Sequence, residues 1–345
     1  MEKSLLTFGK IILPEKLKIN LKLNVGIIGS GRLSIDYINI IKSFNHNVKY
    51  IASFTKNKNA KRLAKKNNAE LLYSSDQVVL AKNVDFWIVC TSWKNLKSVF
   101  IKLKQLKKPI LFEKSMIISS KELKLIKSSK YYQSINKNFS FAYNRNYYDY
   151  ILILSNLLKK KNIKFGNAYF FDPYKNLFSN KKISKPYLPY YITSHWISLI
   201  LKIFNLSEYK IQSKKIEILD YKNNFKRILF NLKSNKNKFK FELFNLPDLP
   251  KNHQINFFFE DKIVEISPIE RINLYKNLYK KTKNRINFYE PLIDSFNVNQ
   301  KYKPGFRFQY YDFVVSNFYK KKSVLSTKLK DLIDIYEICD FLKKK

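Results

Sequence analysis

At 345 residues, with 45% hydrophobic side chains, the chain is long enough for two cores and too apolar to stay disordered. Its charge is lopsided, with 66 Lys and Arg against 26 Asp and Glu for a net +40. That excess alone would suit nucleic acid or an anionic membrane. The lysines, however, are spread along the chain together with abundant Asn, Ile, Phe and Tyr, so a non-specific basic surface is expected ahead of a nucleic-acid site. No apolar run approaches the ~18 residues that a bilayer span needs. The start, MEKSLLTFGKIILPEK, has an early acid and a broken apolar run, unlike a secretory leader. Cys90 and Cys339 sit in apolar surroundings and read as buried free thiols of a reducing compartment, so a cytoplasmic protein is predicted. His46, His195 and His253 have no ligand-like spacing, and no metal site is expected.

In chain order, residues 1–22 form an extension before the first strand, LNVGII (23–28). A helix follows Gly31, with Leu33, Tyr37, Ile40, Ile41 and Phe44 at helical spacing. Next come a strand NVKYIASF (47–54), a lysine-rich helix (57–68), a strand AELLY (69–73) and a short helix in SSDQVVLAK (74–82). VDFWIVCT (84–91) reads as a buried strand, followed by a helix over about 93–107, strand PILFE (109–113), a helix over about 119–129 and strand KNFSFAYN (137–144). This alternation, with continuous apolar strands, predicts an α/β domain over 23–143 with a doubly wound parallel sheet. Beyond it lie an amphipathic helix (147–160), a strand GNAYFFD (166–172) and an apolar helix containing SHWISLILKIF. Short alternating segments from about 209 to 275 predict an antiparallel meander in a second, α+β domain over 144–324. A closing helix occupies 325–345.

Three of the six glycines, Gly26, Gly29 and Gly31, fall in NVGIIGSGRLS (24–34). A glycine turn between an apolar strand and an amphipathic helix is suited to a dinucleotide diphosphate. Gly29 would make the tight turn, and Gly31 would let the backbone approach the phosphate at the helix N-terminus. The third small position of G-x-G-x-x-G is Ser34, which is expected to strain the helix–strand contact without forbidding it. Gly26, Gly29, Ser30, Gly31, Arg32 and Leu33 are therefore candidate cofactor contacts. The second strand ends in SFTKNK (53–58), with no carboxylate for ribose hydroxyls. Thr55 and Lys56 would suit a 2′-phosphate, which favours NADP over NAD, although composition alone also accounts for Lys56.

Five segments occur in one order: VGIIGSG (25–31), VDFWIVCTSW (84–93), PILFEKS (109–115), FAYNRNYY (141–148) and ITSHWISLILKIF (192–204). This order resembles the glucose–fructose oxidoreductase and inositol dehydrogenase (Gfo/Idh/MocA) family, over about residues 22–342. The resemblance implies a Rossmann NAD(P)-binding domain, then a substrate and dimerisation domain with an open, mostly antiparallel sheet, and a last helix packed back on the Rossmann domain. Lys114, after Glu113, takes the place of the family's Glu-Lys-Pro lysine, with Ser115 replacing the proline. His195 takes the place of its active-site histidine, with Tyr191 where an aspartate often stands four residues earlier, and Ser198 where an acid is frequent. Thr91, Ser92 and Trp93 occupy the turn after the fourth strand, and Asn144 the turn after FAY; with Glu113 and Lys114 they complete the expected cofactor contacts.

Hydride transfer at a carbinol carbon needs a proton moved at the adjoining oxygen, and histidine is well placed to do so near neutrality. His195 is accordingly the acid–base candidate, Lys114 the hydroxyl-binding and proton-relay candidate, and Tyr191 a hydrogen-bonding or relay candidate. Taken singly, Lys114 reads as a solvated lysine and His195 as a satisfied core histidine; their order with the other motifs assigns them the site. The expected function is an NAD(P)-dependent oxidoreductase for a sugar, sugar nucleotide or polyol, possible as a homodimer or homotetramer through the second sheet. The alternative is a catalytically weakened member that binds nucleotide or regulates, and the lesser one a binder of nucleic acid or anionic surfaces.

Overall fold

The computed structural model describes residues 17–55, 57–114, 116, 118–160, 162–175, 187–220, 222–276, 279–282, 285–288, 292–298 and 301–343. The first compact unit holds 17–147 together with 301–340, and the second holds 148–298 together with 341–343.

In the first unit strands and helices alternate: β1 (Asn24–Ile28), α1 (Arg32–Ser43), β2 (Asn47–Ala52), α2 (Lys58–Asn67), β3 (Glu70–Leu72), α3 (Ser75–Leu80), β4 (Phe86–Val89), α4 (Trp93–Leu103), β5 (Ile110–Glu113), α5 (Ser120–Lys127), α6 (Tyr132–Asn138) and β6 (Phe139–Ala142). The strands form one parallel sheet in the order β3-β2-β1-β4-β5-β6. This is the doubly wound order, with its reversal between β1 and β4. The β4, β5 and β6 residues are buried throughout, as strands covered on both faces must be. Local chemistry sets the helix starts. Asn57 accepts from Asn59 N–H at 2.8 Å, and reciprocal capping boxes join Ser74 to Gln77 and Ser119 to Glu122. The helix expected over 93–107 ends at Leu103, and α6 is a helix that the sequence did not lead one to expect before the last strand.

The second unit begins with α7 (Ile151–Lys160), β7 (Ile163–Phe170), a π-helical turn (Pro189–Thr193) and α8 (Ser194–Leu206). Strands β8 (Lys210–Asp220), β9 (Phe225–Lys233), β10 (Lys238–Asn245), β11 (Gln254–Phe259), β12 (Lys262–Ile266), β13 (Arg271–Lys276), β14 (Tyr279–Thr282), β15 (Arg285–Phe288) and β16 (Leu292–Asn297) follow. The large sheet has the order β16-β13-β12-β11-β7-β10-β9-β8, and β14 pairs with β15 separately. It is mostly antiparallel, but not the simple meander expected. β7 inserts between β10 and β11 and runs parallel to β10, and the sheet extends to β16 rather than stopping near 275. On one face, α8 lays Phe204 against Phe241 at 5.0 Å between ring centroids. Gly166 leaves room for that same phenyl ring, since a Cβ there would meet Phe241 at 2.6 Å.

Two helices close the chain, α9 (Phe306–Phe318) and α10 (Leu329–Lys343). No element was expected over 306–318, and the boundary read from sequence falls after 324; compact packing puts it near 300. The reason is burial. Phe306, Tyr310, Phe313 and Val314 of α9 share one core with Val25, Ile27, Tyr37, Ile41 and Phe86. In the same unit, Tyr336 of α10 donates to the Met116 carbonyl at 3.3 Å, and Ser120 N–H donates to Asp340 at 3.0 Å. Among the described residues no helix is long and apolar enough to cross a membrane.

Candidate nucleotide and proton-transfer sites

The parallel register brings the carboxyl ends of β1, β2, β4, β5 and β6 to one edge of the first sheet: Ile28 pairs with Ala52 and Val89, Val89 with Phe112, and Glu113 with Ala142. The residues that follow those strand ends include Gly29 to Leu33, Thr55, Thr91 to Trp93, Lys114 and Asn144. In an open α/β sheet this edge, at the switch point, is where a ligand is held. Lys56 and Ser115 lie outside the described residues.

The three glycines have different reasons to be glycine. Gly29 has φ +131°, and a Cβ there would meet the Cys90 carbonyl oxygen at 2.6 Å. Its own N–H donates to Ala52 O at 2.9 Å, so the turn is held from both neighbouring strands. Gly26 is not part of the turn: it lies inside β1, where a Cβ would meet the Trp87 indole at 2.3 Å. Packing within the sheet, rather than the expected cofactor contact, accounts for glycine at this position. Gly31 has an ordinary φ of −84°, and nothing among the described residues lies within 4 Å of where its Cβ would be. Neither conformation nor protein packing demands glycine at 31. The open space lies at the start of α1, which has no side-chain cap and no acid in its first turn.

Ser34 departs from the expectation of strain. It is fully buried, and its Oγ lies 3.3 Å from Cys90 Sγ, so the hydroxymethyl is accommodated by a hydrogen bond to the thiol. Burial pushes that thiol up to about 12, which leaves Cys90 un-ionised.

At the end of β5, Glu113 is buried, and Tyr37 of α1 donates to its Oε1 at 3.3 Å. Tyr37 Oη also lies 3.4 Å from Gln309 Oε1 of α9. Burial raises the Glu113 carboxyl to about 7, against the opposing pull of the Lys114 and Lys303 charges. A carboxyl that takes up or gives a proton near neutrality thus directly precedes Lys114, which is half-buried. Asn144 donates through Nδ2 to Pro304 O at 2.9 Å, which holds the turn after β6.

In the second unit, Tyr191 lies in the π-helical turn and His195 in the first turn of α8; both are half-buried. π turns concentrate at functional sites because the wider turn re-aims side chains. The residues around His195 are tied to Asp172, just past the end of β7. Asp172 is fully buried. Thr193 Oγ1 donates to its Oδ2 at 2.6 Å and Trp196 Nε1 to its Oδ1 at 3.0 Å. His253, before β11, accepts from Phe171 N–H at 3.0 Å through Nδ1, and its Nε2 lies 3.6 Å from Asp172 Oδ1. The sequence reading missed this cluster, and its parts carry no local signal.

Residues 23–130 match the family described as "Oxidoreductase family, NAD-binding Rossmann fold", Gfo/Idh/MocA. This segment is a Gfo/Idh/MocA NAD-binding Rossmann domain. No curated protein matches the chain. Among solved structures, the whole chain is similar to UDP-N-acetylglucosamine 3-dehydrogenase from Acidithiobacillus ferrooxidans, with TM-score 0.70, 10% identity, and 94% of this chain and 100% of that one covered. It is also similar to a scyllo-inositol dehydrogenase from Lactobacillus casei (TM-score 0.65, 14% identity, coverage 93% and 95%) and a myo-inositol dehydrogenase from Corynebacterium glutamicum (0.64, 15%, 93% and 95%). These likenesses extend the shared fold beyond the Rossmann domain to both units.

The Rossmann turn of this segment fits a dinucleotide on its own geometry. The vacant Cβ space at Gly31 and the uncapped N–H groups opening α1 form a cradle for a diphosphate. Among the described residues no group of three or more His, Cys, Asp or Glu is placed to hold a metal.

Proposed function

We propose that the chain is an NAD(P)-dependent oxidoreductase that moves a hydride to or from a carbinol or carbonyl carbon of a sugar, sugar nucleotide or polyol. The observation that carries it is Gly31, a glycine with open space beside it at the start of a helix and at the switch point of a doubly wound sheet. The substrate class is supported by the dehydrogenases of UDP-N-acetylglucosamine and inositols that share the fold. Ser30, Gly31, Arg32 and Leu33 would bind the diphosphate, and Thr91, Ser92 and Trp93 would border the nucleotide. Thr55 and Lys56, with no acid beside them, favour a 2′-phosphate and therefore NADP over NAD.

The bound nicotinamide supplies the hydride acceptor or donor. Lys114 holds the reacting oxygen and stabilises negative charge that develops on it, and Glu113 beside it carries or releases a proton near pH 7. His195 exchanges the proton of the reacting hydroxyl, and Tyr191, on the preceding turn, hydrogen-bonds to the substrate or relays that proton. Two buried free thiols fit a reducing, cytoplasmic setting, and the aromatic outer face of the second sheet, where Tyr169 stacks on Phe244 at 4.9 Å, suits self-association.

The test is turnover. Purified protein is incubated with NAD or NADP and a panel of polyols, sugars and sugar nucleotides, and reduced nicotinamide is followed by absorbance. At least one substrate should be oxidised, and Lys114→Ala and His195→Ala should each lower kcat by about 100-fold or more. Nucleotide binding with no turnover across the panel would instead support the nucleotide-binding or regulatory reading.

A further inference from the structure

We propose that Asp172 is a positioning residue for His195, its buried carboxylate fixing the helix start on both sides of the imidazole. The inference rests on the acid–base reading of His195. Thr193 and Trp196 flank His195 in sequence, and both donate to the same carboxylate, one to each oxygen. A fully buried carboxyl group is costly to leave without hydrogen-bond partners, so its two side-chain donors are held in place. Charge-assisted bonds to a carboxylate are shorter and stronger than neutral ones and constrain direction as well as distance.

The proton directions follow from the geometry. The Thr193 hydroxyl proton goes to Asp172, so the Tyr174 phenol, 2.5 Å from Thr193 Oγ1, donates to that oxygen. His253 accepts at Nδ1 from a backbone N–H, so its proton sits on Nε2, toward Asp172. The indole of Trp196 packs on the His253 ring with centroids 4.2 Å apart. The carboxylate therefore joins the end of β7, the π turn, the first turn of α8 and the segment before β11.

This matters because of the π turn. Ridges of apolar side chains locate a helix, but the rotation of its first residues depends on how the preceding turn is closed. Here the preceding turn is wide, ends at Thr193, and is closed in part by Ser194 Oγ donating to Tyr190 O at 2.5 Å. The ties at Thr193 and Trp196 fix the rotation that aims the His195 side chain. Small errors of aim are costly, since a misplacement of about 1 Å can lower a rate by about 100-fold.

The chain has only three histidines, so long-range imidazole nitrogen–proton correlation spectra resolve them singly. Asp172→Asn and Thr193→Val are compared with wild type and with Thr193→Ser, which restores the hydroxyl. In both disruptive variants the His195 signals are expected to move while those of His46, in the other unit, stay. In turnover assays kcat should fall by about 10–100-fold with nucleotide affinity unchanged, and Thr193→Ser should recover both readouts. If Asp172→Asn does not fold, Thr193→Val, which keeps the side-chain shape, carries the test. Folded variants whose His195 signals match wild type would overturn the proposal. His195→Gln separates the two ideas: wild-type turnover there would overturn the acid–base reading, while the spectra still report on the positioning.

Discussion

A methyl group added at Gly26 or Gly29 meets protein, and one added at Gly31 meets open space. Gly29→Ala should cost about 1–3 kcal/mol, because φ +131° is foreign to an L side chain and the Cys90 carbonyl stands in the way. Gly26→Ala should cost a similar ~1–3 kcal/mol by forcing the Trp87 indole aside. Gly31→Ala should unfold within about 0.5 kcal/mol of wild type; denaturant unfolding of the three variants checks the ranking. Glu113 gives a prediction with a definite sign. Its folded carboxyl titrates near 7 against an ordinary 4.5, so between those values the folded state holds a proton that the unfolded state has lost. Its contribution is fully present below about pH 4.5 and is lost as pH rises through 7. Glu113→Gln should therefore flatten this part of the profile and gain on wild type as pH goes from 5 to 8, which thermal unfolding across that range would read. An unchanged difference between the two proteins would mean that Glu113 is ionised throughout.

At the scale of elements, α9 ties the chain's far end to the first sheet. Tyr310 of α9 meets His46 Nδ1 at 2.5 Å in a buried site, and burial lowers the His46 pKa. Tyr310→Phe would leave that imidazole nitrogen without its hydroxyl partner, at a cost of about 1–3 kcal/mol in chemical denaturation and with nucleotide binding unaffected. The parallel sheet was legible in the sequence because each buried strand is a short continuous apolar run between a helix and a turn. α9 was not, because Phe306, Tyr310, Phe313 and Val314 are spaced for one buried face while Phe308 and Tyr311 place aromatics on the others. The insertion of β7 beside β10 was equally hidden: local alternation predicts strands, not which distant strand lies alongside. The glycine turn after β1 was legible because the pattern is local. The Asp172, Thr193, Trp196 and His253 cluster was not, because its members approach only through the fold.

For the whole molecule, the net +40 predicts attraction to any polyanion, and its dispersal along the chain predicts little selectivity. Binding to DNA of any sequence should be weak and should disappear by about 0.15 M salt, where screening acts within ~8 Å. Sequence-selective binding surviving that salt in a mobility-shift assay would require a dedicated nucleic-acid site. The fold extends a Gfo/Idh/MocA Rossmann domain into a second unit with its own eight-stranded sheet, and the functional account begins at the first turn of the first unit. The most direct test is a fluorescence titration of the full-length protein with NADPH and with NADH, repeated on Gly31→Trp after its folding is verified by circular dichroism. Saturable binding of at least one nucleotide by wild type, abolished when the indole fills the space beside α1, is the predicted result. No binding of either nucleotide at millimolar concentration, or equal binding by the tryptophan variant, would contradict the account.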